Sequence, residues 1–223
     1  MRHSGIGYLL LLMLLAAGSA QATSASEHYA EELVRAIYFE GIPHGKAAAI
    51  DSDGAERLAE MLMDPAEKPH HAKILIALGM SQQPGSFEAF RAFLQNGRSG
   101  EMDRSEFHAW RVLPTAMGHL ARRDERALAW LAQQVQNPEP PHRTYRQHDL
   151  PELRHRAAIH GLAVSGTDEA RLLLRALRDQ RLARSVRRGA STPADRRIQA
   201  ALALHDRVAR EGPASIGAQE GAP

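Results

Sequence analysis

The residues of this chain with chemistry to offer are twelve histidines, a run of arginines and several closely spaced acids. A metal site carried on one helix needs ligands three or four positions apart, so that both leave the same face. His70 and His71 are adjacent, and His155 and His160 are five apart, so each pair diverges on a helix. His142 and His148 flank a proline-rich connection, and a site assembled on that loop or across repeats stays open. No metal and no cofactor is assigned. Nucleophilic chemistry has less to work with: there is no cysteine, no G-x-S-x-G turn and no glycine-rich phosphate loop. The acid pairs Asp51/Asp53 and Asp168/Glu169 stand where helix starts favour negative charge, which accounts for them. No catalytic residue follows, and the chain reads as a non-enzyme.

The arginines are more suggestive. Arg171, Arg175 and Arg178 stand at i, i+4 and i+7 of one helix, and Arg181, Arg184, Arg187 and Arg188 extend the run. Charge is uneven along the chain. Residues 23–106 hold 14 acids and 8 bases, whereas residues 107–223 hold 12 acids and 19 bases. One reading of the strip is capture of an acidic protein or an anionic envelope polymer, with Arg171, Arg175, Arg178 and Arg181 as the partner-binding residues. The other is a solvated helix face, the usual fate of a charge run. Nucleic acid is disfavoured, because no aromatic side chains interleave the arginines for base stacking.

The elements that must carry these residues are helices. Residues 151–180 read as two helices joined at Ser165-Gly166, with Asp149, Pro151 and Glu152 opening the first and Thr167 capping the second. Neither buries its apolar side alone. Similar units begin near His71 and Ala109: an apolar helix leading to a glycine, a short polar turn, then a second helix rich in Leu, Ala and Phe. The glycines Gly79, Gly118 and Gly161 are 39 and 43 residues apart, near the roughly 40–47 residues of helical-pair repeats. Over about residues 41–210 the pattern resembles the HEAT repeat family in its compact bacterial form, including phycobilisome-lyase-like HEAT proteins. The resemblance implies an all-α, right-handed HEAT/armadillo-like αα-superhelix of about four helical pairs, usually a binding scaffold. It implies no fixed catalytic residues. If second helices line the concave side, as in that family, the basic strip lies near a groove.

Composition agrees with helices. Hydrophobic residues make up 43% but aromatics only 5%, so the core must be built from Leu, Ala, Ile, Val and Met rather than the aromatic and β-branched residues that strands favour. Net charge is only +2. Arg2 and His3 precede an apolar run from Ile6 to Ala17 and the small residues of an A-x-A site, the pattern of a secretory leader cleaved after Ala22, or alternatively after Ala20. The run is shorter than the ~20 residues that span a bilayer. The expectation is a periplasmic or secreted protein with no transmembrane anchor once processed, and no lipoprotein, since cysteine is absent. Residues 1–22 are then the leader, 23–212 the repeat domain and 213–223 a disordered tail.

Along the repeat domain, helices are expected over Glu27–Phe39, briefly over His44–Ile50, then over Gly54–Met63 behind an Asp53/Glu56 capping box. Others run from Pro69 to Met80, from Phe87 to Gln95 capped by Ser86, and from Ser105 to Leu120, kinked at Pro114. Asp124 caps Glu125–Gln136, and Thr192-Pro193 starts a last helix ending at about Arg210. Trp110 and Trp130 are expected in the core of one repeat. The connection from Asn137 to His148 projects either as a spacer or as a partner-binding loop. The function expected is an exported, non-catalytic scaffold binding a protein partner. An accessory component related to chromophore lyases and a structural spacer are the alternatives. Oligomeric state is not specified.

Overall fold

The computed structural model describes residues 24–96, 100–138, 143–185 and 192–216, the side chains of residues 184 and 185 excepted. The leader with its cleavage site at Ala22 therefore lies outside the described residues, as do Arg187 and Arg188 and the last seven positions. The described chain is all-α, with ten helices and one two-residue parallel ladder.

Most helix starts are set by a side-chain acceptor that takes up an otherwise unpaired N–H. In α1 (Ala25–Arg35), the Ser24 hydroxyl accepts from the Glu27 N–H, and the Glu27 carboxylate accepts in return from the Ser24 N–H. This helix stops short of the expected Phe39. Lys73 Nζ donates to the Ala36 carbonyl at 2.6 Å and closes the helix end, after which Ile37 and Phe39 stand in solvent. A short α2 (His44–Ala48) follows. In α3 (Ser52–Met63) the cap is Asp51 rather than Asp53: Asp51 accepts from the Gly54 N–H at 3.0 Å and from the Ser26 hydroxyl, which ties α1 to this start. A 3₁₀ turn, Pro65–His70, then absorbs Pro69, and α4 begins beyond it (His71–Ser81). Helix α5 (Ser86–Gln95) is entered through Gly85 at φ +88°, a conformation that favours glycine, so Ser86 is the first helical residue and not the cap.

The next helix, α6 (Arg104–Leu120), is capped by Asp103, which forms a reciprocal box with Glu106; Ser105 lies one residue too late to serve. The helix is continuous through Pro114. Asp124 starts α7 (Glu125–Gln136) and Asp149 starts α8 (Leu150–Ser165), as expected. The Thr167 hydroxyl accepts from the Ala170 N–H at the start of α9 (Asp168–Ser185), and Thr192 and Asp195 form the box of α10 (Pro193–Glu211). Between the helices, β1 (Gly100–Glu101) and β2 (Arg143–Thr144) form the ladder.

Packing follows chain order. Helix α1 lies on α3, α3 on α4 and α5, and then α4, α6, α8 and α10 each contact the next, while α7 packs on α8 and α9 on α10. The repeated glycines lie inside the first helices rather than at their ends, and they set the spacing. A Cβ on Gly79 would collide with the Ala116 carbonyl, one on Gly118 with the Gly161 carbonyl, and one on Gly161 with the Pro114 carbonyl. The backbones of α4, α6 and α8 therefore touch where a side chain would hold them apart. One apolar cluster runs through these contacts from Ala30 to Ala201 and includes Leu58, Leu75, Leu113, Met117, Leu131 and Leu174.

A second, smaller cluster of Met102, Tyr145 and Leu150, with Phe107, Trp110 and Leu153 around it, lies under the long connection. Of the expected tail 213–223, residues 217–223 lie outside the described residues. Pro213–Ile216 forms a 3₁₀ turn that contacts α10, α8 and, from the opposite end of the described chain, α2.

Candidate functional site

The arginine strip on α9 is partly consumed by the fold. Arg171 Nε lies 3.1 Å from Asp206 Oδ1 on α10, so it joins two helices. Arg178 is turned to the adjacent Asp179 at 2.9 Å. Arg181 is half-buried and Arg175 is exposed. Leu172 is 66% exposed beside them, and Leu182 is exposed further along. The structure thus places the four residues on one helix without making them a row of free cations.

The two connections read as separate polar loops are built together. β1 pairs in parallel with β2, the Met102 N–H donates to the Thr144 carbonyl at 2.8 Å, and the Arg146 N–H donates to Glu101 Oε1 at 3.2 Å. Arg146 has φ +49°, a left-handed conformation held by those contacts. The loop is anchored on α6 by stacked rings. Phe107 and Tyr145 lie 3.9 Å apart at an 8° angle, with His148 5.5 Å from Phe107 and Trp110 6.2 Å from it on α6. The described part of the connection is therefore fixed to α6. His142 lies outside the described residues.

An ion network fixes the base of this assembly. Lys68 Nζ lies 3.0 Å from Asp103 and 3.2 Å from Glu106, and Arg143 reaches Glu106 at 2.8 Å. Against the opposing effect of burial, the backbone N–H bonds of the capping box and then the paired cations hold both carboxylates below their ordinary range.

Beside the Phe107–Tyr145 stack opens a cleft of about 360 Å³ lined by Pro69 and Ala72, by Arg104, Ser105, Phe107, His108 and Arg111 of α6, and by Tyr145. Arg104, His108 and Arg111 are all exposed and stand at i, i+4 and i+7, so they share one face of α6. Arg146 adds a guanidinium 5.2 Å from the Tyr145 ring. Burial and then the charges of Arg111 and Arg104 push the pKa of His108 below its ordinary value, so it is neutral at pH 7. The cleft joins a positive rim to an aromatic and proline wall, which suits an anionic ligand with apolar parts. Its spacing is the one the strip on α9 shows, and it is present in the sequence. What the sequence does not mark is which arginines other helices neutralise.

Two further polar features are structural. Arg154 is buried, with its guanidinium 4.1 Å from the Trp110 ring and 5.4 Å from that of Trp130. The two tryptophans expected in one core thus clasp an arginine of α8, and both remain half-buried. His119 is 2% exposed, and its ring lies 6.0 Å from that of His44. Burial, and secondarily the neighbouring His44, His160 and Arg122, bring its pKa down to about 3. Among the described residues no three His, Asp or Glu side chains gather as metal ligands, and no helix is long and apolar enough to cross a membrane. No family model matches this chain, and neither a curated protein nor a solved structure does.

Proposed function

We propose that this chain is a HEAT-like αα-superhelix that acts as an exported, non-catalytic scaffold, holding a protein partner in the bacterial envelope. One observation carries the reading. The first helices α4, α6, α8 and α10 contact one another in chain order, with backbones brought together at repeated glycines. Units that bury their apolar sides against the next unit in line form arrays whose long surfaces bind other proteins. The apolar run from Ile6 to Ala17 and the small residues up to Ala22 support export to the periplasm or beyond, with cleavage after Ala22. On α9, Arg175 and Leu172 are exposed and available to a partner, whereas Arg171 and Arg178 already meet carboxylates.

The test is crosslinking in cells that produce the full chain, followed by mass spectrometry. A single reproducible partner that also co-elutes with the purified protein on gel filtration is expected. The intact mass should show an N-terminus at Thr23. Monodisperse behaviour with no partner, together with turnover of a small substrate by the purified protein, would replace the scaffold with an accessory enzyme.

A further inference from the structure

We propose that the cleft between the start of α4 and the outer face of α6 binds an acidic, polyproline-II-like peptide segment whose carboxylates are three residues apart. This rests on the scaffold reading and names the chemistry of what the scaffold holds.

Charge comes first. Among the described residues, the acids beside the start of α6 are already taken: Asp103 and Glu106 by Lys68 and Arg143, and Glu101 by the Arg146 N–H. Arg104 and Arg111 are exposed, and no described acid pairs with them. His108 stands between them on the same face of α6. A ligand that brings carboxylates complements the two guanidinium charges; a cationic or neutral ligand does not.

Spacing comes second. Seven residues of helix separate Arg104 from Arg111, roughly 10 Å along the axis at 1.5 Å per residue. A single carboxylate or phosphate is too small to meet both guanidinium groups in their positions. A polyproline-II segment has three residues per turn and rises about 3.1 Å per residue, so positions i and i+3 fall on one face about 9 Å apart.

The wall comes third. Between the two arginines the cleft presents Phe107, Tyr145, Pro69 and Ala72. Aromatic and proline surfaces of this kind accept the ridges of an extended proline-rich chain, whose preformed helix loses little entropy on docking. Tyr145 and Phe107 are locked against each other by their 3.9 Å stack, so the wall is in place before any ligand arrives.

The experiment uses the full chain and a fluorescein-labelled peptide containing Glu-Pro-Pro-Glu, read by anisotropy at low salt. The peptide should bind saturably. Affinity should fall about tenfold, equivalent to 1.4 kcal/mol, for Arg104→Gln and again for Arg111→Gln. It should fall similarly for a peptide with the two glutamates adjacent. Arg91→Gln on α5, an exposed arginine away from the cleft, should leave binding unchanged, and all variants should keep the wild-type melting temperature. Equal binding of the two peptides, or displacement by inorganic polyphosphate at matched charge concentration, would overturn the proposal in favour of an unspecific polyanion surface. No binding of Glu-Pro-Pro-Glu would also overturn it. The scaffold reading is judged separately: a crosslinked partner still held by the Arg104→Gln, Arg111→Gln double variant means that the scaffold stands and the cleft is not its contact.

Discussion

At the scale of single residues, two buried polar groups carry consequences. His119 is enclosed at the end of α6 with His44, His160 and Arg122 as its charged or chargeable neighbours, none of them an acid. Its folded-state pKa of about 3 lies far below the 6.5 of an open histidine. The unfolded chain therefore takes up a proton at mild acidity that the folded chain refuses. The stabilisation is present in full above pH 6.5 and is lost as pH falls from there toward 3, at up to about 1.4 kcal/mol per pH unit. Urea unfolding midpoints at pH 7 and pH 5 should show this loss, and His119→Leu should reduce the difference; an unchanged difference in the variant would assign the effect to His44, His71, His155 or His160, which are also lowered. Arg154 supplies the second case. Its guanidinium faces two indole rings, and the whole side chain is buried. Arg154→Ala removes both contributions and should cost about 2 kcal/mol or more in chemical denaturation. Arg154→Met, which restores the volume, should recover part of it.

At the scale of elements, the glycines of the first helices decide how closely α4, α6 and α8 approach. Glycine inside a helix ordinarily costs about 1 kcal/mol against alanine, so its repeated use there needs a return. The return is backbone contact, with each missing Cβ replaced by a carbonyl of a neighbouring helix. Gly118→Ala or Gly161→Ala must force two helices apart and should destabilise by about 3 kcal/mol. Gly45 in α2 has open space around its would-be Cβ, and Gly45→Ala should stabilise by about 0.5–1 kcal/mol. Thermal melts of the three variants test the contrast, and similar shifts at all three positions would show that the close approach is not what these glycines provide. The caps obey a simpler rule. Asp51, Asp103, Asp124, Asp149 and Thr192 each supply the acceptor one residue before a helix, and nearby alternatives such as Asp53 and Ser105 end up inside the helix instead.

At the scale of the whole molecule, the chain's two described ends are joined. The turn Pro213–Ile216 touches α2 as well as α8 and α10, so the last element braces the first short helix. A chain ending at Gly212 should retain its helices by circular dichroism. Amide hydrogen exchange in α2 should rise, since local opening there no longer has to break that contact. If exchange in α2 stays at the wild-type rate, the brace carries no energy.

Much of this was legible from residue order alone. The all-α class, the helix pairs around residues 71–95, 109–136 and 151–180, and the caps at Asp124, Asp149 and Thr192 follow from local rules: apolar residues at a 3.6-residue period, and an acceptor wherever a first turn lacks partners. The chemistry of individual side chains was legible too, including the arginine spacings on α6 and α9. Which of those arginines face water was not. Arg171 is drawn to Asp206 and Arg143 to Glu106, partners distant in sequence that only the packing of separate helices brings within 3.1 Å and 2.8 Å. Arg104 and Arg111 are exposed, and among the described residues the same packing directs the neighbouring acids Asp103 and Glu106 to Lys68 and Arg143. Local periodicity determines what each helix is; the meeting of helices, which has no period in the chain, determines which charges remain for another molecule.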